Sequence, residues 1–123
     1  MTLSISTFFS PTCETRELHA DAQLRTRYYR NNFKQCLEAV QTLQTMLSFQ
    51  VQNVDETHGE VYLLGNGYEV ILTITQVNPI ETGIDMKINL FGVIGFGKPK
   101  KKAIQFYQEF DRLLKFKGVA LHP

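Results

Sequence analysis

The hydrophobic period of this chain changes twice, from helical to strand-like near Phe49 and back to helical after Pro99. A helix returns a side chain to the same face about every 3.6 residues and a strand every two, so these changes fix the order of elements. Between positions 30 and 48, Phe33, Leu37, Val40, Leu43 and Leu47 recur at steps of four, three, three and four. Cys36 and Met46 widen that stripe, while Lys34, Glu38, Gln41, Thr42 and Thr45 fall off it. The spacing predicts one amphipathic helix, with Asn31 or Asn32 as its N-cap.

From Phe49 the alternation is strand-like. Phe49, Val51 and Asn53 alternate with Gln50, Gln52 and Val54, and Asp55 to Gly59 reads as a turn. Glu60 to Leu64 predicts a second strand, and Gly65-Asn66-Gly67 a tight reversal, because Gly and Asn tolerate positive φ. Tyr68 to Val77 places Val70, Leu72 and Ile74 on one face. After a turn at 78–83, Ile84, Met86, Ile88 and Leu90 point one way and Asp85, Lys87, Asn89 and Phe91 the other. Pro99 suits a first helical turn. Ile104, Tyr107, Phe110 or Asp111, and Leu114 predict a helix from Lys101 to Lys117, ended by Gly118 as a C′ glycine.

The expected fold is therefore α+β: a two-layer α-β-β-β-β-α sandwich with a four-stranded antiparallel meander. The outer strand positions are largely polar, so both helices are expected on one face. At 123 residues the chain has the length of one domain. Residues 25–118 are expected to form it, after a flexible N-terminal arm at 1–24 and before a short tail at 119–123. No apolar run approaches the ~20 residues that span a bilayer, so no transmembrane segment is expected.

Net charge is +1, which argues against polyanion binding by bulk charge, yet the charge is segregated. Residues 1–37 carry five basic and three acidic groups, residues 38–97 one and seven, and residues 98–123 seven and two. Lys98, Lys100, Lys101 and Lys102 open the second helix, where cations oppose the helix dipole. They are candidate anion-binding residues; a solvated, solubilising run is the alternative. Arg25, Arg27, Tyr28 and Arg30 interleave basic and aromatic groups and form a candidate contact for nucleic acid. The same residues can instead lead into a helix, with the tyrosines packing on the core.

Catalytic signals are weak. Gly92 to Lys98 satisfies GxxxxGK, but Pro99 stands where a phosphate-binding loop has Ser or Thr for magnesium. His19, His58 and His122 lack metal-ligand spacing, and His58-Gly59-Glu60 has no P-C-x-x-C partner for a zinc deaminase. Glu56, Glu60, Glu69, Glu81 and Asp85 fall in turns or on outward strand positions, with nothing in the sequence to perturb their pKa values. The expectation is no catalytic residue, no metal and no cofactor.

The run Leu24 to Val61, through Thr26, Arg27, Tyr28, Ala39, Leu43, Gln44, Phe49, Asp55 and Gly59, resembles the opening of small bacterial envelope lipoproteins of unknown function. The closing INLFGVIGFG followed by a helix is also similar, and the likeness covers roughly residues 13–117. Ser48 stands where such proteins usually have glycine. The resemblance implies a TATA-binding-protein-like helix–sheet fold, an envelope location and a role as scaffold or accessory subunit. It makes Cys13 a candidate lipidation site, provided the chain starts upstream. Ser10, Pro11 and Thr12 depart from a lipobox, which prefers an aliphatic residue at minus three and a small one at minus one.

The functional expectation is a non-enzymatic protein-interaction module or structural subunit of a bacterial cell-envelope assembly, with protein partners and membrane association only through a lipidated Cys13. The alternative is nucleic-acid or anionic-surface binding through the basic residues of the two helices.

Overall fold

The computed structural model describes residues 10–92 and 95–123. It is an α+β fold in which two helices accompany a seven-stranded antiparallel sheet. The elements are β1 (Thr12–Glu14), a 3-10 turn (Ala22–Leu24), β2 (Arg27–Tyr29), α1 (Phe33–Met46), β3 (Phe49–Asp55), β4 (Glu60–Gly65), β5 (Tyr68–Asn78), β6 (Glu81–Leu90), α2 (Lys98–Leu113) and β7 (Phe116–Val119). The sheet order is β3-β4-β5-β6-β2-β7, with β1 also on β6.

The expected meander corresponds to β3 to β6, and the alternation of β4, β5 and β6 agrees with the structure. Val61, Leu63, Val70, Leu72, Ile74, Ile84, Met86 and Ile88 are buried. They share one cluster with Cys36, Ala39, Val40 and Leu43 of α1 and with Ala103, Phe106, Tyr107 and Phe110 of α2. Each large apolar side chain buried there contributes about 1.5–3 kcal/mol. Asn32 caps α1 through a capping box: its side chain accepts from the Gln35 N–H, and the Gln35 side chain accepts from the Asn32 N–H. Met46, placed on the stripe by the sequence, is exposed, because burial centres on Cys36, Val40 and Leu43.

The sheet is wider than four strands. Residues 10–24, expected within a flexible arm, contain β1, whose Thr12, Cys13 and Glu14 pair with Asn89, Ile88 and Lys87. β2 pairs further along the same edge, with Arg27, Tyr28 and Tyr29 opposite Ile84, Gly83 and Thr82. Strand β6 is long enough to hold both short strands end to end. The second helix stops at Leu113 rather than Lys117, because Leu114 is extended (φ −116°, ψ 169°). The Asn31 side chain accepts from the Lys115 N–H (2.8 Å) and the Arg30 N–H donates to the Lys115 carbonyl (2.7 Å). These bonds draw the chain into β7, so Gly118 pairs opposite Tyr28 instead of ending a helix.

A bulge between Val51 and Asn53 shifts the phase of β3, so Val54, expected outward, packs against the core. At the same place the Val51 N–H donates to the Gln44 side chain (3.1 Å), which satisfies a donor on an edge strand. No helix among the described residues is long and apolar enough to cross a membrane.

Candidate anion-binding groove

The end of the sheet where β6 leaves for α2 is shaped by glycine. Gly97 caps α2 with a left-handed backbone (φ 73°), and Pro99 sits buried in the first turn. A Cβ on Gly95 would lie 2.1 Å from the Ser10 carbonyl oxygen, so a side chain there is sterically excluded. Positions 93–94 of the Gly92–Lys98 stretch lie outside the described residues. The sheet is antiparallel, whereas a phosphate-binding loop of the GxxxxGK kind follows a strand of a parallel sheet.

Beside this bend lies an open groove of about 730 Å³, lined by Asn66, Gly67, Tyr68, Leu90, Gly92, Lys98, Lys101, Lys102 and Gln105. The four side chains from α2 stand at i, i+3, i+4 and i+7, the spacing of one helical face. No carboxylate lines the groove among the described residues. Among those residues, none of the three lysines forms an ion pair. Lys102 Nζ lies 4.4 Å from the centre of the Tyr68 ring, and partial burial lowers its pKa. Three cations thus line one groove without a counter-charge in the described wall.

Lys100 takes the other direction. Its ammonium pairs with Asp21 at 2.6 Å. Burial pulls the Asp21 carboxyl upward, but hydrogen bonds from Lys100 and the Gln23 N–H outweigh it and hold the pKa below the usual range. Of the four candidate lysines, three face the groove and the fourth closes the 3-10 turn onto α2. The helical period separates them in the sequence, since Lys100 falls between the positions that share the groove face.

Among the basic-aromatic candidates, Arg25, Arg27 and Tyr28 are engaged by internal partners. The Arg27 guanidinium donates to both oxygens of Asp111 (3.1 and 2.6 Å) and lies 4.3 Å from the Phe116 ring centre. Tyr29, fully buried, donates its hydroxyl to the same carboxylate (2.7 Å). Tyr28 is buried and donates to Glu17 (2.7 Å), and its ring meets His122 edge-on at 4.9 Å. Arg25 donates to the His19 carbonyl (2.8 Å), leaving Arg30 as the exposed member.

Cys13 stands within β1, half-buried against the core, beside a small cavity of about 140 Å³ lined also by Leu24, Pro99 and Lys100. Burial, then the nearby Asp21, pushes its thiol up to about 11, so it is not an activated nucleophile. Among the described residues no group of His, Cys, Asp and Glu is arranged to hold a metal ion.

One titratable site was not visible in the sequence. Asp85 accepts from the hydroxyls of Thr15 (2.7 Å) and Thr26 (2.8 and 2.9 Å). Thr15 Oγ1 in turn accepts from the Met86 N–H (2.9 Å), and Tyr107, 3.1 Å away, donates to the Ile84 carbonyl (2.8 Å). Burial raises the Asp85 pKa, and the threonine hydroxyls only partly offset it. The outward position of Asp85 was legible from alternation; its covering by the segment at 15–26 was not.

Comparison with known proteins returns no match: no family model, no curated protein and no solved structure is similar to this chain.

Proposed function

We propose that the protein is a non-enzymatic interaction module that holds an anionic group of its partner in the lysine groove, as a subunit of a bacterial cell-envelope assembly. One observation carries the binding reading: Lys98, Lys101 and Lys102 converge on one groove with no carboxylate in its described wall. The envelope assignment, the TATA-binding-protein-like kinship and the scaffold role rest on the resemblance of residues 13–117. Nucleic-acid binding along Arg25, Arg27 and Arg30 is less well supported, because Arg27 and Tyr28 are committed to internal partners.

A second reading has its own observation. On the sheet face away from the helices, Tyr62, Leu64, Ile71 and Thr73 are half-buried rather than solvated. That mixed face is a candidate protein-docking surface.

Titration with inorganic tripolyphosphate, followed by amide chemical shifts, tests the first reading. Shifts are expected at Gly67, Lys98, Lys101, Lys102 and Gln105, weakening with salt. The K98Q/K101Q/K102Q variant is expected to bind at least about tenfold more weakly, which is the effect of removing a single charge-assisted hydrogen bond. Shifts that map elsewhere, or that survive the triple substitution, reject the groove and leave the sheet face as the better reading.

A further inference from the structure

We infer that the end of the sheet opposite the lysine groove is an interface between two copies of this chain. Successive turns of an antiparallel meander alternate between the sheet's two ends. The β4–β5 turn, with Asn66 and Gly67, lines the lysine groove, so the β3–β4 and β5–β6 turns stand at the other end. There a second open groove, of about 650 Å³, runs between these turns and α1. Phe33 and Leu37 of α1 and Pro79 of the β5–β6 turn give it an apolar lining. Ile80 follows Pro79 at the tip of the turn and is 73% exposed. Val77, at a bulge just before the turn, is 41% exposed. Turn tips ordinarily carry Gly, Asn, Asp or Ser. Here an apolar side chain stands out on a backbone that is held in place. The Ile80 N–H donates to the Asn78 side chain (3.0 Å), and the Phe33 N–H donates to the Gln76 side chain (2.9 Å), tying the start of α1 to β5. An apolar knob beside an apolar groove makes a self-complementary patch. About a twofold axis each copy offers its Ile80 to the other's groove, so one contact buries two anchors.

Charge selects the occupant. Lys34, Glu38 and Glu56 also line this groove, and among the described residues none of them forms an ion pair. A patch that carries both signs attracts its own copy across a twofold axis, because each base meets the partner's acids. The lysine groove, with three cations and no carboxylate in its described wall, repels its own copy. Two carboxylates against one lysine also disfavour an anionic lipid surface at the Ile80 end. Pairing through this end leaves both lysine grooves free, so the dimer presents two anion sites where the single chain has one.

The test is sedimentation velocity of the full chain from low micromolar to submillimolar concentration, with amide shifts recorded over the same series. A concentration-dependent dimer is expected, with shifts at Phe33, Leu37, Gln76 and Ile80 and none at Lys101 or Gln105. The I80S variant, which alters an exposed side chain, is expected to dimerise roughly a hundredfold more weakly, at about tenfold for each of the two anchors. Its urea midpoint, measured where parent and variant are both monomeric, is expected to match the parent's. Two further variants test the charges. K34E leaves three acids in the groove and E38K/E56K leaves three bases. Each alone is expected to dimerise at least about tenfold more weakly than the parent, and their equimolar mixture to pair again. A parent that stays monomeric overturns the inference and gives this end to a partner of other chemistry. A dimer that is indifferent to I80S, or whose shifts fall on another face, overturns it as well. A mixture of the charge variants that stays monomeric overturns the twofold pairing of charges.

Discussion

Asp85 shows how much one residue's behaviour depends on what covers it. In an exposed strand it would be an ordinary carboxylate; here two threonine hydroxyls reach it from segments distant in the sequence. Its pKa is raised by burial, so the folded state holds the proton more tightly than the unfolded chain. Where that is so, stability falls as pH rises, through the interval from the unfolded value near 3.8 up to the raised folded value. Asp21 and Glu81 act in the opposite sense, since their lowered pKa values add stability that is lost on acidification. The whole-protein curve mixes these signs, and a difference curve separates them. The D85N variant keeps a hydrogen-bonding side chain but cannot titrate. Its stability relative to the parent is expected to improve as pH rises from below the unfolded value, and then to level off. Urea denaturation across acid to neutral pH measures this, and a difference independent of pH refutes the assignment.

Elements were more legible than their ends. The stripe of α1 and the alternation of β4, β5 and β6 follow from side-chain period, which survives in the structure because one face of each element is buried. The asparagine alternatives for the α1 cap resolve to Asn32. The N32A variant is expected to lose about 0.5–2 kcal/mol, read as a lower urea midpoint at unchanged slope. No change would mean that the capping box is decorative. The end of α2 was not legible, because Leu114 to Lys117 continues a plausible helical period. Hydrogen bonds of the Lys115 backbone with the Asn31 side chain and the Arg30 N–H, more than eighty positions away, decide it. The β3 bulge was hidden for a related reason: Val51 and Val54 both suit a strand, and the pairing with β4 alone sets where the phase shifts. In the groove, the lysines are legible as a cluster, but the cluster splits. Helical spacing separates Lys100 from Lys98, Lys101 and Lys102, whereas the Asp21 partner that draws Lys100 aside comes from tertiary structure.

At the scale of the molecule, the meander is completed by chain from both sides of it. β1 and β2 precede α1, β7 follows α2, and all three lie at the β6 side of the sheet. Short strands of three or four residues carry weak sequence signals, which is why the segment around β1 reads as an arm. Its contacts are nevertheless specific. The Leu90 N–H donates to the Pro11 carbonyl (2.8 Å) and the Thr15 N–H to the Met86 carbonyl (2.9 Å), extending the pairing beyond Thr12–Glu14. Removing residues 1–15 would uncover one edge of β6, deprive Asp85 of the Thr15 hydroxyl and leave the Met86 N–H without its acceptor. Deletion of 1–9, which leaves β1 intact, is the reference. An arm that only trails from the surface would change stability by no more than about 0.5 kcal/mol, the usual limit for surface changes. Two or three buried polar groups left unsatisfied, at about 1–3 kcal/mol each, predict a loss of roughly 3 kcal/mol or more for the longer deletion. Hydrogen exchange offers the finer reading: in the shorter deletion the Leu90 and Met86 amides should stay protected, and in the longer one they should exchange ahead of the Val70 and Leu72 amides. Equal urea midpoints for the two deletions would show that β6 holds the sheet edge unaided and that β1 is dispensable to the fold.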